Sequence, residues 1–369
     1  MSSRVKDIVI VANNDWHDLW FQRQQFACGF ALRGFKVFYL NRALQRWPTI
    51  NHFKRRFFLF GKKIIHNKNT IPPNIRVITP FWLPPFEILR PINRKLIQIT
   101  ISSYRLDVQS PWLITYIPSY NTIDLIRIIK PYKVAYINVH NYDEDIVISD
   151  LLKAEKELVK QADLLFGDSN YNMERLSRLS PGKQVFPSLP GVNYNLFRRA
   201  FRGDEFRRCK TIYYFGGIGP HLDLSLYGAL ASTYKVVFVG IVAPGVYNQI
   251  PAQIEIRPPV ANSALPDVLK EADILTIFYK DSPYIRGVIP AKFFECLATG
   301  KPVLVSGLSE AKPYLDVVYD VQGSEQIARE VIKNLSETET EYRLRRQDEI
   351  AKEADWTRRF ESFASKLGL

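Results

Sequence analysis

The chain has 369 residues, 46% hydrophobic and 13% aromatic content, and a net charge of +13, which suits two domains with separate cores and excludes a disordered or fibrous protein. Three scattered cysteines, Cys28, Cys209 and Cys296, lack CxxC spacing, so a reducing compartment is expected rather than a disulfide scaffold. The polar first residues leave no room for a signal peptide and no apolar run reaches the roughly 18 residues of a membrane span, so the expectation is a cytoplasmic protein, soluble or peripheral at the inner face of the cell membrane.

The opening reads as a βαβ unit: a strand over 8–12, a loop over 13–17 with Asp15 and His17, a helix from 19 to 32 carrying Arg23, a stop at Gly34, and a strand over 37–40. Between Leu19 and Phe86 there is no Asp or Glu but twelve Lys and Arg, so a surface of this region is expected to meet something anionic. The segment 41–70 breaks the rhythm as an insertion or long helical loop, with Lys54, Arg55, Arg56, Lys62 and Lys63 set among Trp47, Phe53, Phe57, Phe58 and Phe60. That mixture suits docking on an anionic membrane or beside an anionic glycan acceptor. Strands over 75–79, 112–116, 133–139 and 164–166 alternate with helical stretches, which implies a parallel sheet with helices on both faces. After a basic linker over 198–210 the cycle repeats, with strands over 211–215, 235–239, 274–279 and 302–306. The row Leu222, Leu226, Leu230 and the stretch 265–272, with Ser263 as N-cap, mark helices between them, and 324–369 is helical with a break near Trp356. The expected fold class is α/β, two Rossmann-like doubly wound domains facing a cleft, divided as 1–197, 198–345 and a C-terminal 346–369.

In open parallel sheets ligands bind beyond the carboxyl ends of the strands. One such end is Gly216 and Gly217, where glycines let backbone N–H groups approach a phosphate or base. A second is the run Arg286, Gly287, Val288, Ile289, Pro290, Lys292, Glu295. Pro290 suits a helix's first turn, so the free amides there, with Arg286 and Lys292, make a pocket for a diphosphate, and the two oxygens of Glu295 match two ribose hydroxyls. A solvated i,i+3 pair of Lys292 and Glu295 is the competing reading. His140 ends the strand over 133–139, where it caps the strand or serves proton transfer. Asp143, Glu144 and Asp145 read as a solvated acidic loop rather than a metal site.

These residues in this order resemble the GT-B fold glycosyltransferases, in particular the large, mostly retaining group that assembles bacterial cell-surface polysaccharides of the teichuronic acid and surface-layer type. The resemblance rests on Pro290, Lys292, Glu295, Cys296, Leu297 and Ala298 closing on Gly300, Lys301, Pro302 and Val303. It also rests on Ala162 and Asp163 leading a strand towards Ser169, and on Gly191, Val192, Asn193 and Phe197. It implies a nucleotide diphosphate-sugar donor in the second domain held by Gly216, Gly217, Arg286, Val288, Ile289, Lys292 and Glu295. It further implies a glycan or lipid-linked acceptor beside Asp15, His17 and Arg23, with His140 catalytic. Retention at the anomeric carbon, catalysis without a metal or other cofactor, and a C-terminal helix packing back on the first domain belong to the same implication. Two positions depart from the group: Gly287 stands where many relatives carry a first glutamate, and His221 where many carry Arg and Lys. A nucleotide-sugar epimerase of the same fold is the alternative; a nucleic-acid binder lacks a recognition motif.

Overall fold

The computed structural model describes residues 7–43, 71–106, 108–143, 149–201, 211–283 and 285–369. Lys54, Arg55, Arg56, Lys62 and Lys63, with the rest of the basic insertion beyond residue 43, and Glu144 and Asp145 lie outside the described residues.

Two compact units emerge: Met1–Asp168 with Asn172–Ser188 and Phe360–Leu369, and Ser169–Tyr171 with Leu189–Arg359. The changeovers fall at 188/189 and 359/360, whereas the sequence reading set limits at 197 and 345. The reason is packing, because Val192 and Phe197 before the linker, and Ile350 and Ala351 after residue 345, bury their side chains in the second unit's core.

In the first unit the strands are β1 (Asp7–Val11), β2 (Lys36–Leu40), β3 (Ile75–Ile78), β4 (Trp112–Thr115), β5 (Lys133–Asn138), β6 (Leu164–Gly167) and β7 (Val185–Pro187). They lie in the order β3-β2-β1-β4-β5-β6-β7, every pair parallel. The second unit holds β8 (Thr211–Phe215), β9 (Lys235–Val239), β10 (Glu255–Arg257), β11 (Ile274–Phe278), β12 (Val303–Ser306) and β13 (Tyr319–Asp320), ordered β10-β9-β8-β11-β12-β13 and again all parallel. In each sheet the chain order reverses beside the first strand, so the switch points lie between β1 and β4 and between β8 and β11. Central strands are covered on both faces, which is why Ile8, Val9 and Ile10 form an uninterrupted apolar run and β11 buries Ile274, Leu275 and Ile277 around a single polar residue, Thr276.

The helix Gln22–Leu32 starts three residues later than its apolar pattern suggests, because the Phe21 N–H donates to Gln24 Oε1 at 3.1 Å and sets the first turn. It stops where Gly34 takes φ 86° and its N–H donates to the Ala31 carbonyl at 3.0 Å. Its buried face stacks Phe26 on Phe363 at 4.7 Å and sets Phe30 edge-on to Phe360 at 4.9 Å, the partners coming from the helix Trp356–Leu367. The expected N-cap at Ser263 is not used; the short helix Leu265–Leu269 begins after Ala264, without a side-chain cap. No helix among the described residues is long and apolar enough to cross a membrane.

Candidate functional site

Strand β8 runs straight off its last buried residue, Phe215, into Gly216 at the second switch point. Gly216 sits at φ +114°, and a Cβ there would lie 2.5 Å from Lys292 Nζ, so any side chain would evict the lysine. Lys292 rises from the first turn of the helix Ala291–Ala298 and donates to the Tyr214 hydroxyl at 2.6 Å, with its Nζ 4.1 Å from the centre of the Tyr214 ring. Tyr214 in turn donates to the Gly217 carbonyl at 2.8 Å. One chain of contacts therefore ties the helix, the strand and the glycine turn together, and aims an ammonium along the carboxyl edge of β8.

The helix N-cap is Pro290 itself, one position earlier than its expected place in the first turn, with no side-chain cap. Uncapped first-turn amides and the helix dipole add positive potential beside Lys292. Burial pulls the Lys292 ammonium down to about 8, against the opposing pull of Cys296 and Glu295. Burial pushes the Glu295 carboxyl up to about 7, opposed by Lys292 and by a hydrogen bond from Asn262. These are not the marks of a solvated surface pair. Lys292 binds Tyr214 rather than Glu295, and among the described residues no ion pair joins the two. His221, at the turn after Gly217, packs edge-on against Tyr279 at 5.0 Å, and burial and then Lys292 hold it below the ordinary histidine range. The backbone closes the same corner, since Lys280 N–H donates to the His221 carbonyl at 2.8 Å.

Of the remaining donor-side candidates, Ile289 is buried, Val288 is half-buried and Arg286 is exposed on the turn that precedes the helix. Gly287 stands where the resemblance implied a glutamate, and its surroundings account for the glycine. Its φ is +81°, and a Cβ would sit 2.7 Å from the Tyr171 ring, so a larger residue is excluded twice over.

In the first unit, Arg23, His140 and Tyr142 gather at the carboxyl edge of the sheet. The His140 ring lies 5.1 Å from Tyr142 and its backbone N–H donates to Asn138 Oδ1 at 3.1 Å. Arg23 acts on Tyr142 through its charge. Asp15 is half-buried and His17 exposed, while Trp16 between them is core, edge-on to Tyr39 at 5.0 Å. Asp143 is exposed, as a solvated loop implies, and it is also anchored by an ion pair. Its carboxylate takes Arg175 Nε at 2.8 Å and Nη2 at 2.9 Å, while Glu155, buried to 1% exposure, takes Nη1 of the same arginine at 2.8 Å and accepts from the Tyr136 hydroxyl at 2.7 Å. Among the described residues no group of three or more His, Cys, Asp or Glu could hold a metal ion.

Tyr214, Asn262 and Arg175 were not singled out from the sequence. The motif-bearing stretch names Lys292 and Glu295, but the groups that fix them come from positions whose residue types carry no motif. The one available signal was Tyr214 lying two residues before Gly216 in a buried strand, where a buried hydroxyl needs a partner.

No protein-family model matches the chain. It is 29% identical over 243 residues to "Putative teichuronic acid biosynthesis glycosyltransferase TuaH" of Bacillus subtilis (strain 168), a match that spans 58% of this chain and 59% of that relative. Among solved structures, Anabaena HepE in complex with UDP and glucose superposes with a TM-score of 0.66 at 14% identity, covering 99% of both chains. A glycosyltransferase from Rickettsia africae gives 0.69 at 12% identity over 98% of this chain and 97% of its own. The fold is therefore the GT-B fold.

Proposed function

We propose that the protein transfers a sugar from a uridine diphosphate-sugar to a glycan or lipid-linked acceptor in cell-surface polysaccharide synthesis, with retention at the anomeric carbon and without a metal. The observation that carries this reading is the Lys292–Tyr214–Gly217 chain at the β8 edge, beside an uncapped helix N-terminus. An ammonium and backbone amides aimed at one point stabilise a departing diphosphate, the work a metal does elsewhere. Arg286, exposed one turn away, adds a second cation to the leaving group. Glu295, steered by Asn262, accepts from the ribose hydroxyls. Gly216 and Gly217 let the nucleotide come close to the backbone. His140, at the end of β5, serves the acceptor hydroxyl. The likeness to the teichuronic acid protein supports an envelope-polysaccharide acceptor, and the UDP-bound relative supports the choice of uridine.

The test is a thermal-shift panel of UDP, GDP, dTDP and CMP. Saturating UDP is expected to stabilise by about 3–4 kcal/mol at roughly 100–1,000 times its Kd. Stabilisation by none of the four would sink the proposal, and preference for another base would replace uridine alone.

A further inference from the structure

A second cation lies in the first unit with no carboxylate bound to it. Arg23 occupies the first turn of the helix Gln22–Leu32, and Tyr116 follows the last residue of β4, so the two flank the switch point between β1 and β4. The guanidinium carbon stands 5.0 Å from the centre of the Tyr116 ring and 5.3 Å from that of Phe21. Arg23 Nε and the Tyr116 hydroxyl are both buried without a hydrogen-bond partner. Asp168 acts on Arg23 through its field, and its Oδ1 accepts from Asn172 at 2.8 Å. Tyr39 and Tyr142 complete the surround, and the Tyr39 hydroxyl donates to Asn14 Oδ1 at 2.9 Å.

Burial of a guanidinium costs free energy unless an anion meets it, and here burial already pulls Arg23 below its ordinary range. A half-buried guanidinium packed on the ring of a buried tyrosine, with its Nε and the tyrosine hydroxyl both unpartnered, supplies at a switch point the donors that a carboxylate or phosphate accepts. We propose that Arg23 and Tyr116 form a pocket for an anionic group, a carboxylate or a phosphate, borne by the acceptor sugar. The assignment to the acceptor rests on the glycosyl-transfer reading; the anion pocket itself does not.

The experiment is calorimetric titration of the full chain with glucuronic acid, glucose 6-phosphate and glucose, with UDP saturating the other unit so that a sugar phosphate cannot occupy the diphosphate pocket. At least one acidic sugar is expected to bind about tenfold or more tightly than glucose, as a charge-assisted hydrogen bond provides. Arg23→Gln should bring the acids to within twofold of glucose, Arg23→Lys should keep part of the preference, and Tyr116→Phe should weaken it while leaving the ring in place. Preference for glucuronic acid identifies a carboxylate and preference for glucose 6-phosphate a phosphate. Acids that bind no better than glucose overturn the proposal without any variant, as does an unchanged preference in folded Arg23→Gln. The Kd for UDP, measured separately on each protein, is expected to stay within twofold. Failure of UDP to bind wild type sinks the transferase reading, and the acid-to-glucose ratio then still decides the pocket.

Discussion

Lys292 and Glu295 are displaced towards each other on the pH scale, one down to about 8 and the other up to about 7, both by burial. A diphosphate needs the ammonium and a ribose needs the carboxylate. Affinity for UDP should therefore peak between these values, falling below about 7 as Glu295 protonates and above about 8 as Lys292 loses its proton. A flat profile from pH 6 to 9 would remove both residues from the pocket. The stability consequence has the opposite sign from an ordinary salt-bridged carboxylate. Between its ordinary 4.5 and about 7 the folded Glu295 keeps a proton that the unfolded chain has lost, so its contribution to stability falls as pH rises through that window. Glu295→Gln should accordingly raise Tm at pH 8 by about 2 °C, with the gain shrinking at pH 5, while UDP affinity drops about tenfold. Calorimetry of both proteins at the two pH values checks this; a lower Tm with unchanged UDP binding contradicts it. His140→Ala should lower kcat at least tenfold with little change in donor KM, and activity within twofold of wild type would leave His140 as a structural cap.

At the scale of elements, the turn after β5 is fastened from behind. Arg175, on the helix Asn170–Leu179, grips Asp143 three residues past His140 while its other face is fixed to Glu155. Asp143→Asn keeps the buried Arg175–Glu155 pair and loosens only the turn, so Tm should change by about 2 °C or less while kcat falls. Glu155→Gln strips the buried arginine of its enclosed partner and should cost about 3 kcal/mol or more. Chemical denaturation with turnover measurements distinguishes the two, and equal loss of stability in both would remove the distinction. The same scale shows what the sequence made legible. Strands β8 and β9 were readable to the residue because both faces are covered and the apolar run has sharp ends. The edge strands β7, β10 and β13 have only three, three and two residues, too few to show a period, and exist because a neighbour offers a free ladder. Lys292 and Glu295 were legible because one helix carries both at fixed spacing. The ion pair of Asp143 was not legible because its partner Arg175 is 32 residues away and nothing local announces a buried cation.

For the whole molecule, the proposed metal-free chemistry predicts that EDTA leaves transfer intact, and restoration of lost activity by manganese or magnesium would overturn it. The uneven charge predicts association with anionic vesicles that weakens with salt, each basic side chain near the bilayer adding about 1 kcal/mol. Liposome sedimentation with Lys54, Arg55 and Arg56 changed to glutamine checks this; equal sedimentation on neutral and anionic vesicles refutes it. The helix Trp356–Leu367 carries a consequence of another kind. Phe363 stacks on Phe26 at 4.7 Å and leans on Phe166 at 4.7 Å, while Phe360 meets Phe30, so an aromatic cluster of the first unit is closed by residues more than three hundred positions later. During synthesis, the nascent first unit must wait on the ribosome with Phe26 and Phe30 uncovered until almost everything else has been translated, which makes it a natural client for a holding chaperone and makes early translation termination a route to aggregation rather than to a usable half-enzyme.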